Sequence, residues 1–126
     1  MNEELPGHKS KAFEGRKMPL VLIESPFAGD VDANIKYARA CMRDSLARGE
    51  SPFAMHLLYT QDGILNDDIP EERNLGIEAG LAWGRHASKT VVYTNLGITP
   101  GMELGIQRAK EEARDVEYRE LDSWIS

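Results

Sequence analysis

Thr90 to Ala109 reads TVVYTNLGITPGMELGIQRA, a short β-branched run, a Gly/Pro loop and an amphipathic helix in immediate succession. Val91, Val92 and Tyr93 are too few for a helix and rich in strand formers, so they predict a buried strand bounded by Thr90 and Thr94. Asn95 to Thr99 form the loop. Thr99 suits the N-cap, and Pro100 suits the first helical turn, where its missing N–H costs no intrahelical hydrogen bond. From there Met102, Ile106, Ala109 and Ala113 recur at helical spacing and predict a stripe facing a sheet. Glu103 lies beside that stripe. As a first-turn acid it would be stabilised by the positive end of the helix. The capping-box position behind Thr99, however, is Met102, one residue before the acid. Gly101 adds a second signal, because a glycine inside a helix costs about 1 kcal/mol relative to alanine and suits a place where something approaches the backbone closely.

Leu20 to Glu24, LVLIE, is a hydrophobic run that reads as a strand buried on both faces, and so as the centre of a parallel sheet. Ser25 to Asp30, SPFAGD, turns the chain into a helix with an expected stripe of Val31, Ile35, Ala38, Met42 and Leu46, closed by Gly49. Asp30 can act as the N-cap of that helix. The strand's carboxyl end and the helix N-terminus also converge where open α/β sheets bind ligands. Ser51 to Leu58 reads as a second strand, leading to a loop with His56, Tyr59, Thr60 and Gln61. His56 is either a packing histidine or, at the carboxyl end of a strand, a ligand contact.

Asp68 and Glu71 have capping-box spacing for a helix from Pro70 to His86, which makes Asp67 and Asp68 structural rather than metal ligands. That helix carries Leu75, Ala79 and Ala82 on one stripe and Gly76, Gly80 and Gly84 on another. The glycine stripe predicts a close approach by another helix or a ligand, and a subunit contact is the reading preferred here. Glu78 sits mid-helix and reads as solvent-facing, and Trp83 reads as packing. Val116 to Tyr118 read as a last strand, and Trp124 with Ile125 as a docking tail. Alternation of strand and helix with short loops implies an α/β fold, a small Rossmann-like or flavodoxin-like parallel sheet with helices on both faces. The loop SPFAGD lacks the glycine fingerprint of a dinucleotide site.

The length of 126 residues suits one domain over 18–126, preceded by a polar, mobile arm over 1–17. A formal charge of −6 argues against a nucleic-acid surface and leaves free nucleotides open. The sequence has no apolar run of membrane-spanning length and no signal-peptide core, so a cytoplasmic protein is expected. Cys41 is the single cysteine; with no ligand-spaced partner it suggests neither a metal nor a redox role, and it is expected to pack within a helix.

The run GITPGMELGIQRA resembles the glycine-x-glutamate-leucine-glycine segment of the nucleoside 2-deoxyribosyltransferase family, which includes 2'-deoxynucleoside 5'-monophosphate N-glycosidases. The resemblance spans about Leu20 to Glu120. It implies that Glu103 is the nucleophile that attacks the anomeric carbon of deoxyribose. It also implies that Thr99, Gly101 and Met102 flank the substrate, and that Ser25, Phe27, Gly29 and Asp30 belong to the loop that holds the sugar and, in the monophosphate enzymes, the 5'-phosphate. His56 and Tyr59 would contact base or sugar. Those enzymes place an arginine in the first loop where this chain has Phe27 and Ala28, so nucleoside and nucleotide both stay open. The implied activity is cleavage or transfer of an N-glycosidic bond with no metal or other cofactor, by a homodimer or higher homo-oligomer. The alternative is a non-catalytic nucleotide sensor of the same fold.

Overall fold

Within residues 17–124, which the computed structural model describes, strand and helix alternate along the chain. The order is β1 (Leu20–Glu24), α1 (Val31–Ala47), β2 (Ser51–Phe53), a 3-10 turn (Met55–Leu57), α2 (Pro70–Gly84), β3 (Lys89–Tyr93), α3 (Pro100–Glu111) and β4 (Asp115–Arg119). The expected N-terminal arm, apart from Lys17, and Ile125 of the tail lie outside the described residues. The four strands form one sheet in the order β2-β1-β3-β4, and every pairing is parallel. This is the expected flavodoxin-like α/β arrangement.

The strand order dictates where the helices go. The step from β1 to β2 runs one way along the sheet and the steps from β2 through β3 to β4 run the other, so crossovers of one hand put α1 on one face and α2 and α3 on the other. Accordingly Tyr37 and Cys41 of α1 pack with Val21, Ile23, Val91 and Tyr93. On the opposite face Met102 and Ile106 of α3 pack with Val92. Trp124 closes the α1 face by meeting the Tyr37 ring edge-on at 5.1 Å, so this residue docks on its own chain.

The inner stripe of α1 differs from the expected one. Its buried residues are Asn34, Tyr37, Ala38, Cys41 and Ser45, while Val31 and Leu46 are exposed. Polar side chains can occupy this face because each has a partner. The Asn34 amide donates to the carbonyls of Phe27 and Ala28, and Ser45 donates to Glu50 at 2.8 Å. Glu50 also receives the Arg119 guanidinium at 2.6 and 2.9 Å, and Arg119 reaches Tyr93, which donates to Asp44. Burial alone would raise the Glu50 pKa, but the hydrogen bonds from Arg119 and Ser45 prevail and bring it down to about 2. Gly49 closes α1 as expected, with φ +87° and the paired bonds Gly49 N–H to Leu46 and Glu50 N–H to Ser45.

The second strand is shorter than expected, stopping at Phe53, and the chain then tightens into the 3-10 turn through bonds from Leu57 to Ala54 and Leu58 to Met55. Helix α2 begins behind Ile69 with no side-chain cap, so the Asp68–Glu71 capping box is not formed. Instead Glu72 accepts from the Asn66 N–H at 2.8 Å and the Asn66 side chain accepts from the Asp68 N–H. The glycine stripe of α2 packs inside the chain, not against a second subunit. A Cβ on Gly80 would lie 2.7 Å from Met55, and one on Gly84 would lie 2.6 Å from Leu22. Gly80 and Gly84 bring α2 down onto the 3-10 turn and β1, and Gly76 faces Leu65 and Tyr59 of the segment between β2 and α2. Trp83, on the outer face and 61% exposed, stacks on Phe53 with centroids 5.9 Å apart.

Candidate functional site

In an open parallel sheet, ligands collect at the carboxyl edge where the strand order reverses, because loops from neighbouring strands part there. Here that point lies between β1 and β3, and a cavity of about 410 Å³ opens beside it. The β1–α1 loop supplies Phe27 and Ala28. The segment after β2 supplies Met55, His56, Tyr59, Thr60, Leu65 and Asp67. Helix α2 adds Glu72, Arg73, Gly76 and Ile77, and the start of α3 adds Thr99, Pro100, Gly101 and Leu104.

The wall is aromatic and apolar with a few polar groups. Phe27 and His56 stack at 5.1 Å with planes 19° apart. Burial pushes the His56 pKa down to about 4, so at neutral pH the site presents an uncharged imidazole, able both to donate and to accept. The His56 carbonyl accepts from the Thr60 hydroxyl, which fixes the turn that carries the ring. Tyr59 leans edge-on against Phe53 at 6.4 Å. The charged side chains of the lining are Asp67, Glu72 and Arg73, and no ion pair holds Arg73 among the described residues.

The α3 end of the cavity follows from capping. Thr99 is the N-cap, accepting from the Met102 N–H at 3.3 Å while its own N–H donates to the Met102 sulfur at 3.4 Å. Gly101 leaves its side of the helix bare, since a Cβ there would have only the Thr99 hydroxyl, 3.9 Å away, as a neighbour. The first-turn backbone therefore faces the cavity unshielded, in the region where a helix favours negative charge.

Five of the residues singled out in the sequence, Phe27, His56, Tyr59, Thr99 and Gly101, line this one cavity. The others lie elsewhere. Met102 is fully buried in the core against Val92 and Ile106, because its place in the helical stripe turns it to the sheet. Ser25 is buried with its hydroxyl unpartnered. Gly29, at φ +101°, shapes the exposed turn, and Asp30 spends its carboxylate capping α1 at the Ala33 N–H, 3.2 Å away. Glu103 is exposed and is not part of the lining. On the helix it stands about 60° from the lining Pro100 and about 60° from the buried Ile106, at the margin between the cavity face and the core face.

Sequence reasoning passed over Glu24. It ends β1, is 3% exposed, and its carboxyl is pressed beneath α3, with Oε2 only 1.9 Å from where a Cβ on Gly105 would stand. That oxygen has no hydrogen-bond partner, and burial raises the acid's pKa to about 8 against the opposing pull of the Arg114 charge. The available signal was an acid closing an apolar run read as buried on both faces.

Among the described residues no three His, Cys, Asp or Glu side chains cluster as a metal site, and no helix is long and apolar enough to cross a membrane. Neither the curated proteins nor the solved structures include a match to the chain. Residues 19–119, from the approach to β1 through the last residue of β4, match the family model described as "Domain of unknown function (DUF7768)", and the chain belongs to that family.

Proposed function

We propose that the crevice binds a 2'-deoxynucleoside or its 5'-monophosphate, and that the chemistry carried out there is cleavage or transfer of the N-glycosidic bond. The observation that carries the binding reading is the pairing of two surfaces in one cavity. The Phe27–His56 stack with Tyr59 offers a flat aromatic wall, and the bare first turn at Gly101 offers backbone and positive helix potential. A heterocycle fits the first and a sugar or sugar phosphate the second. Neutral His56 can hydrogen-bond a base edge. Arg73, at the rim on α2, is placed to balance an anion, a role the β1–α1 loop leaves open by carrying Phe27 and Ala28.

The chemical step rests on the resemblance of the GMELG segment. Glu103 would form a bond to the anomeric carbon as the bond from that carbon to the base breaks. The base would leave with a proton, and water or a second base would then displace Glu103. Its exposed carboxylate stands at the margin of the cavity, outside the lining, and has to swing inwards to reach that carbon. This requirement favours the second reading, a sensor that binds the nucleotide and leaves it intact.

Incubation with a panel of deoxynucleosides and 5'-monophosphates, with and without a second base, separates the readings when followed by chromatography and calorimetry. Release or exchange of the base supports the enzyme. Binding without turnover supports the sensor. Absence of binding across the panel overturns both.

A further inference from the structure

Glu24 is a carboxyl group without a hydrogen-bond donor at Oε2, in contact with a helix that offers it only the backbone of a glycine. An ionised carboxylate in that position would be a buried charge with no hydrogen bond at that oxygen, whereas the neutral acid fills the space as packing. The charged group facing it is Arg114, at the approach to β4. No ion pair joins the two. Arg114 is bonded to Thr90 at 3.0 Å and to Glu112 at 2.6 Å, and its Nη2 is buried without a partner.

Among the described residues, the other elements around Glu24 offer no titratable group to this spot. Strand β3 presents Thr90 and Val92 on this face, α3 presents Gly105 and α2 presents Gly84. Glu78, Arg85, His86 and Glu103 are exposed, Arg108 pairs with Glu78, and Lys89 pairs with Glu50 and Glu117. The residues of β2 are uncharged.

We propose that Glu24 is a proton-controlled latch on the crevice: neutral, it seats α3 against the sheet beneath Gly105; ionised, it is drawn towards the free Nη2 of Arg114 and releases the N-terminal half of α3. That half, with its N-cap, supplies Thr99, Pro100, Gly101 and Leu104 to the cavity, so the latch sets the shape of the ligand wall. The sign follows from linkage. Opening lets the acid return from about 8 towards the ordinary 4.5, so the opened form binds fewer protons and seating weakens as pH rises between those values, levelling off above about 8. His56, whose pKa is lowered to about 4, acts in the opposite sense, but only below its ordinary value of 6.5. The window from pH 6.5 to 8 therefore reports on Glu24.

The test uses the unliganded full chain, so it stands apart from any result with nucleotides. Amide hydrogen exchange at Gly101 to Ile106, corrected for intrinsic rates, is expected to accelerate by up to about tenfold per pH unit across that window. In Glu24→Gln, which keeps the shape and cannot titrate, the acceleration should vanish. A carbon-13 titration of the Glu24 carboxyl in the wild-type chain gives an independent reading if the variant does not fold, with an expected midpoint near 8. A midpoint near 4.5, or a pH response that persists unchanged in Glu24→Gln, would overturn the latch.

Discussion

Tyr37 and Asn95 exchange two hydrogen bonds across the α1 face: the tyrosine hydroxyl donates to Asn95 Oδ1 at 2.8 Å and accepts from the Asn95 backbone N–H at 2.9 Å. The same Oδ1 accepts from the Leu121 N–H at 2.7 Å. One side-chain pair thus ties α1, the β3–α3 loop and the C-terminal segment together.

Tyr37→Phe keeps the ring and removes both bonds, leaving a backbone donor without its acceptor. The expected cost is about 1–3 kcal/mol, read as a lower urea midpoint at unchanged slope. Because Asn95 starts the loop that leads to Thr99, ligand affinity should fall as well.

Glu103→Gln separates stability from chemistry. The side chain is exposed and makes no hydrogen bond or ion pair among the described residues, so unfolding should change by less than about 0.5 kcal/mol. If the proposed glycosyl transfer runs through this carboxylate, turnover should fall by about three orders of magnitude or more with binding retained. Near-normal base release by the folded variant would remove Glu103 from the mechanism.

Two glycine-to-alanine changes should move in opposite directions. Gly84→Ala drives a Cβ to within 2.6 Å of the fully buried Leu22, and overpacking should outweigh the gain in helix propensity, for a net loss of about 1–2 kcal/mol. Gly101→Ala meets no atom closer than 3.9 Å, so stability should hold or rise by up to about 1 kcal/mol. The new methyl stands at the cavity wall and should weaken ligand binding. Paired thermal melts and titrations check both.

Acid should attack the Glu50–Arg119 pair. Glu50 is held down at about 2 in the folded chain against an ordinary 4.5, so it binds fewer protons folded than unfolded. Its contribution is complete above about 4.5 and is lost as pH falls towards 2. Glu50→Gln should flatten this acid limb. Arg119 keeps its ion pair with Glu117 at 2.5 Å but loses the charged partner at two of its nitrogens, so the change should also cost about 1–3 kcal/mol at neutral pH, visible in denaturant melts from pH 2 to 7.

The fold was legible because its signals are local. Val91 to Tyr93, the Thr99–Pro100 start of α3 and the Gly49 stop of α1 each state a backbone preference within a few residues. The readings that differed depend on partners distant in sequence. The inner face of α1 carries Asn34 and Ser45 because Phe27, Ala28 and Glu50 satisfy them, and hydrophobic periodicity does not see such satisfaction. Gly80 and Gly84 announced a close approach, but only the tertiary fold says that Met55 and Leu22 are what approaches. Within the site, His56 is pointed to by its place at the end of a strand, whereas Phe27, Thr99 and Gly101 enter through the family resemblance. Glu103 and Met102 were assigned by motif, and helical rotation decides where they point.

Pro52 gives the outermost strand a further property. The Ser51 N–H turns inward to the Pro19 carbonyl, so the next residue along β2 directs its backbone nitrogen away from the sheet, and that residue carries no hydrogen. The rim therefore lacks the donor with which another chain would begin to zip on. Growth of the sheet by added strands, whether from a second copy or in a misfolded aggregate, is discouraged on the β2 side, where the Pro52 carbonyl can accept a hydrogen bond but no N–H of that residue can return one.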